Sequence, residues 1–259
     1  MPIAGAPQRP CVAPGRAVMR PAVTVDALLP ALNEAETLPR VLRDLQGRGL
    51  RRIVVVDNGS TDATAEVARA GGAVVVSCPE RGYGAACLAG LAHLSASPPD
   101  AVVFLDADGS DDPDDLPAVL GPVERGEADL VIGSRVSGHA EPGALTPVQH
   151  FGNVLSCRLL EGIWGVRFTD LGPFRAVRWS ALEQMQLADR NFGFTVEMQA
   201  RAARLGLRCA EVPVHYRRRA GGQSKVAGTI RGSAKAGAKI LYTIGREVVL
   251  GRVAPRALR

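Results

Sequence analysis

Several features are scarce in this sequence of 259 residues. Aromatic residues make up only 4%, and Tyr242 is the one aromatic past Tyr216, so the tail has no ladder of rings on which bases could stack. This argues against nucleic acid as a partner. The five cysteines (Cys11, Cys78, Cys87, Cys157, Cys209) are odd in number, scattered and without a CxxC, which excludes a disulfide framework or structural zinc and fits a reducing cytosol. No apolar run approaches the roughly 20 residues that cross a bilayer. Residues 1–22 are rich in Pro, Ala and Arg but hold no continuous apolar stretch; they read as a disordered leader. Acid is scarce at one end only. From His215 onward eleven Lys/Arg face the single acid Glu247, a balance of +10 that leaves the rest of the chain at −5. An anionic partner is therefore expected at the C-terminal end.

The two common phosphate loops are missing as well. The turn after the first apolar strand reads PALNEAE, without the glycines of GxGxxG, and no GxxxxGK[ST] occurs. ERGYGAACLAGL offers Gly82 and Gly84 but Cys87 where a third glycine would fall, and a tight turn into a helix is the simpler reading.

What is present is an alternation of strands and helices. Val/Ile/Leu runs at 23–30, 51–57, 73–77, 101–106 and 130–134 are separated by helical patterns at 35–46, 62–70 and 83–94. Such runs imply an α/β fold with a mostly parallel central sheet and helices on both faces. Beyond residue 135 we expect a mobile loop over 137–147, helices near 151–163, 179–187 and 195–205, and a last strand over 209–216. The expected organisation is a leader 1–22, a domain over 23–220, and a basic loop with an amphipathic helix over 221–259.

In open parallel sheets ligands sit at the carboxyl ends of the strands. Three such ends are polar here: LLPALNE, VVDNGSTD and LDADGSDD. The last carries Asp106 and Asp108 in a D-x-D. Two readings compete: a solvated acidic turn, or a site for Mg²⁺ or Mn²⁺, hard ions that bridge one or two carboxylates and a diphosphate. Asp111 to Asp115 read as a capped helix start with Pro113 in its first turn.

The ordered set LLPALNE, VVDNGSTDAT, ERGYGAAC, VVFLDADGSDDP, VIGSR, DLGPFRA and GQSK, over about residues 23 to 230, resembles the family 2 glycosyltransferases of GT-A fold. It is most similar to the branch of dolichyl- and polyprenyl-phosphate mannose or glucose synthases. The resemblance implies a nucleotide-sugar site at Pro30, Leu32, Asn33, Glu34, Asp57, Gly82, Tyr83, Asp106, Ala107 and Asp108. It makes Asp106 and Asp108 ligands of Mg²⁺ or Mn²⁺. It places Asp170 as the acid that assists the acceptor, with Glu197 in reserve. Arg135, Arg175, Arg218, Arg219, Ser224 and Lys225 become phosphate or acceptor contacts. Where the family's loop reads D-D-G-S-T-D, this chain has Asn58 at the second acid, which puts base contacts by that position in doubt.

The activity implied is inverting transfer of a hexose from a UDP- or GDP-sugar to polyprenyl phosphate. A soluble acceptor is the alternative, and so is a nucleotidylyltransferase, although the glycine- and lysine-rich loop of the latter is missing from PALNEAE. Ile230, Ala234, Gly237, Leu241, Ile244 and Val248 recur at helical spacing with Arg231, Lys235, Lys239 and Arg246 on other sides. Such a helix suits an anionic membrane surface, or packing against the domain or a second copy in a homo-oligomer. The expected location is cytoplasmic, peripheral on the cytoplasmic face of the membrane.

Overall fold

The computed structural model describes residues 23–219, 221 and 230–253. The leader, Ser224 and Lys225 lie outside them. Seven strands form one sheet: β1 (Val25–Ala31), β2 (Arg52–Asp57), β3 (Val74–Ser77), β4 (Ala101–Phe104), β5 (Leu130–Ala140), β6 (Arg175–Arg178) and β7 (Cys209–Tyr216), in the order β3-β2-β1-β4-β6-β5-β7. Strands β1 to β4 are parallel, as expected, and β5 and β7 are parallel to each other, while β6 runs antiparallel between β4 and β5.

The near-continuous apolar strands are buried on both faces because alternate side chains enter different cores. Leu28, Val54, Val56, Val102 and Phe104 pack with α3 (Tyr83–Leu94), α5 (Pro147–Trp164), α6 (Trp179–Met185) and α7 (Phe194–Leu205). Leu29, Val55 and Val103 pack on the other face with α1 (Leu38–Leu45), α2 (Thr64–Ala70) and α4 (Leu116–Glu124).

Three expectations change. The stretch 137–147 is in part a strand: β5 continues to Ala140 and pairs with β7 at His139↔His215 and Ala140↔Tyr216. α5 starts four residues before 151 because Thr146 and Gln149 form a reciprocal capping box with Pro147 in the first turn. The short RAVR of β6 is a buried strand that its two flanking arginines disguise in sequence.

The last helix, α8 (Ile230–Val253), lies against α5 and α7. Among the described side chains of this helix Thr243, Ile244 and Glu247 are buried, whereas Leu241, Tyr242, Val249 and Leu250 are exposed. It therefore packs on the domain by one face and leaves apolar side chains outside. Among the described residues no helix is long and apolar enough to cross a membrane.

Candidate active site

Parallel pairing of β1, β2 and β4 brings their carboxyl ends to one edge, with Ala31 opposite Asp57 and Leu28 opposite Phe104. A cleft of about 1020 Å³ opens there. Pro30, Leu32, Glu34, Gly82, Tyr83, Asp106, Ala107, Asp108, Arg135, Arg218 and Arg219 all line it, so most of the expected contacts converge on one space.

The polar turns are held to one another. Asn33 adopts φ 54, a left-handed conformation that asparagine tolerates better than most residues, and its Oδ1 accepts the Thr61 N–H at 2.8 Å. Asp57 Oδ1 accepts the Ser60 N–H at 2.9 Å. Asn33 and Asp57 thus tie the 58–62 loop to the β1 turn and are not among the cleft walls. Asn58 is also committed. Its Nδ2 donates to the Cys78 and Glu80 carbonyls, and its Oδ1 accepts the Gly82 N–H at 2.9 Å.

The start of α3 does not present a bare helix N-terminus to a ligand. A Cβ on Gly82 would lie 2.1 Å from the Arg190 carbonyl oxygen, and one on Gly84 would lie 2.0 Å from that of Asp189. The Ala85 N–H donates to the Arg190 carbonyl at 2.9 Å. The two glycines serve close packing of α3 under residues 189–191, and Gly82 and Tyr83 reach the cleft from its side.

At the end of β4 the carboxylates crowd. Asp111 Oδ2 accepts the Asp106 N–H at 2.8 Å, and Asp108 Oδ1 accepts the Ser110 N–H at 2.9 Å. Burial, followed by the charges of Asp108 and Asp111, raises the Asp106 pKa well above the carboxylate range. Burial is also the largest cause that pushes Asp111 up to about 7. Asp111 Oδ1 is buried with no hydrogen-bond partner. An acid that sequence places on a solvated turn is therefore part of the buried site. The only local signal was its spacing, five residues after Asp106 in an acid-rich run. Among the described residues no three His, Cys, Asp or Glu side chains close into a ready cage for a metal ion. Two oxygen-donor carboxylates beside an orphaned acid oxygen fit an Mg²⁺ or Mn²⁺ ion that takes its remaining ligands from a diphosphate and water.

The opposite wall is basic. Arg135 at the bend of β5 is gripped by Asp170, whose Oδ2 accepts both the Arg135 N–H and Nε–H, and whose Oδ1 accepts from Nη2, each at 2.8 Å. The Arg135 guanidinium also lies 4.9 Å from the centre of the Tyr216 ring. Burial works against its charge, but the Asp170 carboxylate outweighs burial and raises the Arg135 pKa. After β7, Arg217 pairs with Asp112, while Arg219 reaches Glu34 Oε1 at 2.6 Å and Asp108 Oδ2 at 2.9 Å.

Three of the expected roles do not match these positions. Asp170 is fully buried, is absent from the cleft walls and has both oxygens occupied by Arg135, so it holds that cation in place and does not face the cleft. Arg175 is buried too, and its guanidinium serves the carbonyls of Leu171, Gly172 and Thr195 in place of a phosphate; burial lowers its pKa to about 10. Glu197 lies outside the cleft in a buried network, where it accepts the Ala188 and Asp189 N–H groups and pairs with Arg201 and Arg246. Sequence also missed a wall of the cleft, formed by Val148, Phe151 and Leu155 of α5 with Ile240 and Leu241 of α8.

Residues 26–187 match the family model described as glycosyl transferase family 2. The chain belongs to that family. It is 43% identical over 214 residues to an uncharacterized glycosyltransferase of Mycobacterium tuberculosis, covering 82% of this chain and 93% of that protein. It is 34% identical over 222 residues to the undecaprenyl-phosphate mannosyltransferase of Micrococcus luteus, covering 80% and 89% of the two chains. Among solved structures it is similar to glucosyl-3-phosphoglycerate synthase from Mycobacterium tuberculosis in complex with Mn²⁺, UDP-glucose and phosphoglyceric acid. That likeness has a TM-score of 0.67 and 26% identity, and covers 86% of this chain and 80% of the other. The α/β fold is thus GT-A, and the cleft at its strand ends is the active-site candidate of a family 2 glycosyltransferase.

Proposed function

We propose that this protein moves a hexose from a UDP- or GDP-sugar to polyprenyl phosphate with inversion at the anomeric carbon. The observation that carries the acceptor is the composition of the cleft, which is acidic at Asp106 and Asp108, basic at Arg135, Arg218 and Arg219, and apolar along α5 and α8. Phe151 is 69% exposed, Val148 56% and Leu241 44%, so the apolar wall is open to solvent where a prenyl chain or a bilayer would cover it. The name of the Micrococcus relative supports the same acceptor class.

The nucleotide enters along Pro30, Leu32, Glu34, Gly82, Tyr83 and Ala107, with its diphosphate towards Asp106 and Asp108. An Mg²⁺ or Mn²⁺ ion, when bound, neutralises the diphosphate and stabilises its departure as a Lewis acid. Arg135, held rigid by Asp170, positions the acceptor phosphate for attack. A phosphate acceptor is ionised at neutral pH, so it needs little help from a base. That agrees with an Asp170 whose role is to orient Arg135.

A second reading, transfer to a soluble phosphorylated acceptor, is favoured by the likeness to glucosyl-3-phosphoglycerate synthase. A transfer assay decides between them: UDP- and GDP-hexoses with Mn²⁺, each offered a short polyprenyl phosphate or 3-phosphoglycerate. Product with the lipid alone is expected; product with phosphoglycerate alone rejects the lipid assignment.

A further inference from the structure

Arg219 stands where a divalent ion would neutralise Asp108. Its Nη2 lies 2.9 Å from Asp108 Oδ2 and its Nη1 lies 2.6 Å from Glu34 Oε1, so one guanidinium bridges the β1 turn and the D-x-D loop. Both acids are fixed from behind. Asp108 Oδ1 accepts the Ser110 N–H, and the Thr37 hydroxyl lies 3.1 Å from Glu34 Oε2 and 3.0 Å from the Ala107 carbonyl. The chain that delivers Arg219 is fastened to the same loop: Tyr216 bridges to Asp111, and the Arg217 N–H donates to the Ser110 carbonyl at 2.8 Å. The Arg217 guanidinium pairs with Asp112.

We propose that Arg219 is a built-in counter-ion of this acidic site, which Mn²⁺ or Mg²⁺ displaces only together with a nucleoside diphosphate. This rests on reading Asp106 and Asp108 as the metal-holding pair. A carboxylate oxygen given to a guanidinium is not free for an ion, and an ion that took it alone would face a stranded positive charge. A diphosphate removes that obstacle, because it offers the displaced guanidinium a bidentate anionic partner. The ion and the nucleotide then favour each other's binding by the same factor. Arg217 and Ser110 keep the released side chain within reach.

The test is a titration of the full chain with MnCl₂, read from the electron paramagnetic resonance of free Mn²⁺, without nucleotide and with saturating UDP or GDP. The parent should bind Mn²⁺ weakly alone and tightly with nucleotide. In Arg219→Gln, Mn²⁺ alone should bind roughly tenfold more tightly, the worth of a charge-assisted contact, and the gain from nucleotide should shrink. Arg219→Lys should fall between, since one ammonium cannot bridge both acids. If Arg219→Gln binds Mn²⁺ alone no more tightly than the parent, while Asp108→Ala loses the ion in the presence of UDP and GDP, the counter-ion role is rejected and the metal site stands. If Asp108→Ala keeps the ion, the metal site falls and the counter-ion role falls with it.

Discussion

Asp170 and Arg135 meet through three hydrogen bonds of 2.8 Å, one from the backbone N–H and two from the guanidinium. The loop that carries Asp170 is tied down at its peptides. Glu211 accepts the Thr169 and Asp170 N–H groups, Asn153 binds the Thr169 carbonyl and the Leu171 N–H, and Gln199 donates to the Asp170 carbonyl. A cleft cation is thus set from a buried carboxylate whose own loop is hydrogen-bonded at three successive peptides. Asp170→Asn should therefore cost stability, about 3 kcal/mol for one partner of a buried pair. It should also raise the KM for the acceptor more than that for the donor. Urea unfolding and initial rates measure the two effects. A variant with parental stability whose only defect is a shifted pH profile would restore Asp170 as a base.

Asp108→Ala should abolish Mn²⁺-dependent turnover, because the ion loses the acid that projects from the D-x-D loop towards Glu34 and Arg219. The fold should survive, since Asp108 lines the cleft and, among the described residues, its side chain makes hydrogen bonds and ion pairs only with the Ser110 N–H and Arg219. Donor hydrolysis and thermal unfolding check this together; turnover at the parental rate refutes the assignment.

The stability of the metal-free protein should depend on pH in two limbs. Asp111 is raised to about 7 in the folded state, chiefly by burial. Between the ordinary carboxylate pKa and that value the folded state holds a proton that the unfolded chain has released. Stability therefore falls as pH rises through the window. Arg208 beside Asp129 holds that carboxyl below its usual range, so its contribution is present at neutral pH and is lost as pH falls below the carboxylate range. Melting temperatures in chelator should peak in mildly acidic buffer. A melting temperature that climbs steadily from pH 5 to 8 would contradict the burial of Asp111.

Glu197→Gln should destabilise without a specific catalytic defect. Its carboxylate joins α7 to α8 and to residues 188–189, and loss of the charge leaves Arg201 and Arg246 leaning on Glu247. We expect a loss of about 3 kcal/mol and near-parental kcat per folded molecule. A normal melting curve with kcat down a hundredfold would place Glu197 in the chemistry after all.

Phe151→Ser with Leu241→Ser should weaken use of the lipid acceptor and leave donor hydrolysis intact. Burying one large apolar side chain is worth about 1.5–3 kcal/mol, so KM for polyprenyl phosphate should rise tenfold or more. Unchanged KM values in the double variant would remove the apolar wall from acceptor binding.

The strands and the site edge were legible in sequence because both depend on local pattern. Five apolar runs ending in polar turns dictate a covered parallel sheet, and such a sheet gathers Pro30, Glu34, Asp106 and Asp108 at its carboxyl ends. The motif LDADGSDD also fixed the chemistry that this edge could perform, since only oxygen donors occur there. What remained illegible was partnership between distant residues. Asp170, Arg175 and Glu197 carry the charge expected of catalytic or phosphate-binding groups, yet each is spent on partners within the fold: Arg135, three carbonyls, and Arg201 with Arg246. Asp111 went the other way, from a solvated turn into the interior. A charged side chain has no intrinsic preference between solvent, an ion pair and a ligand. The energy that decides comes from burial and from whichever opposite charge folding sets within about 3 Å, and those distances exist only in the tertiary structure.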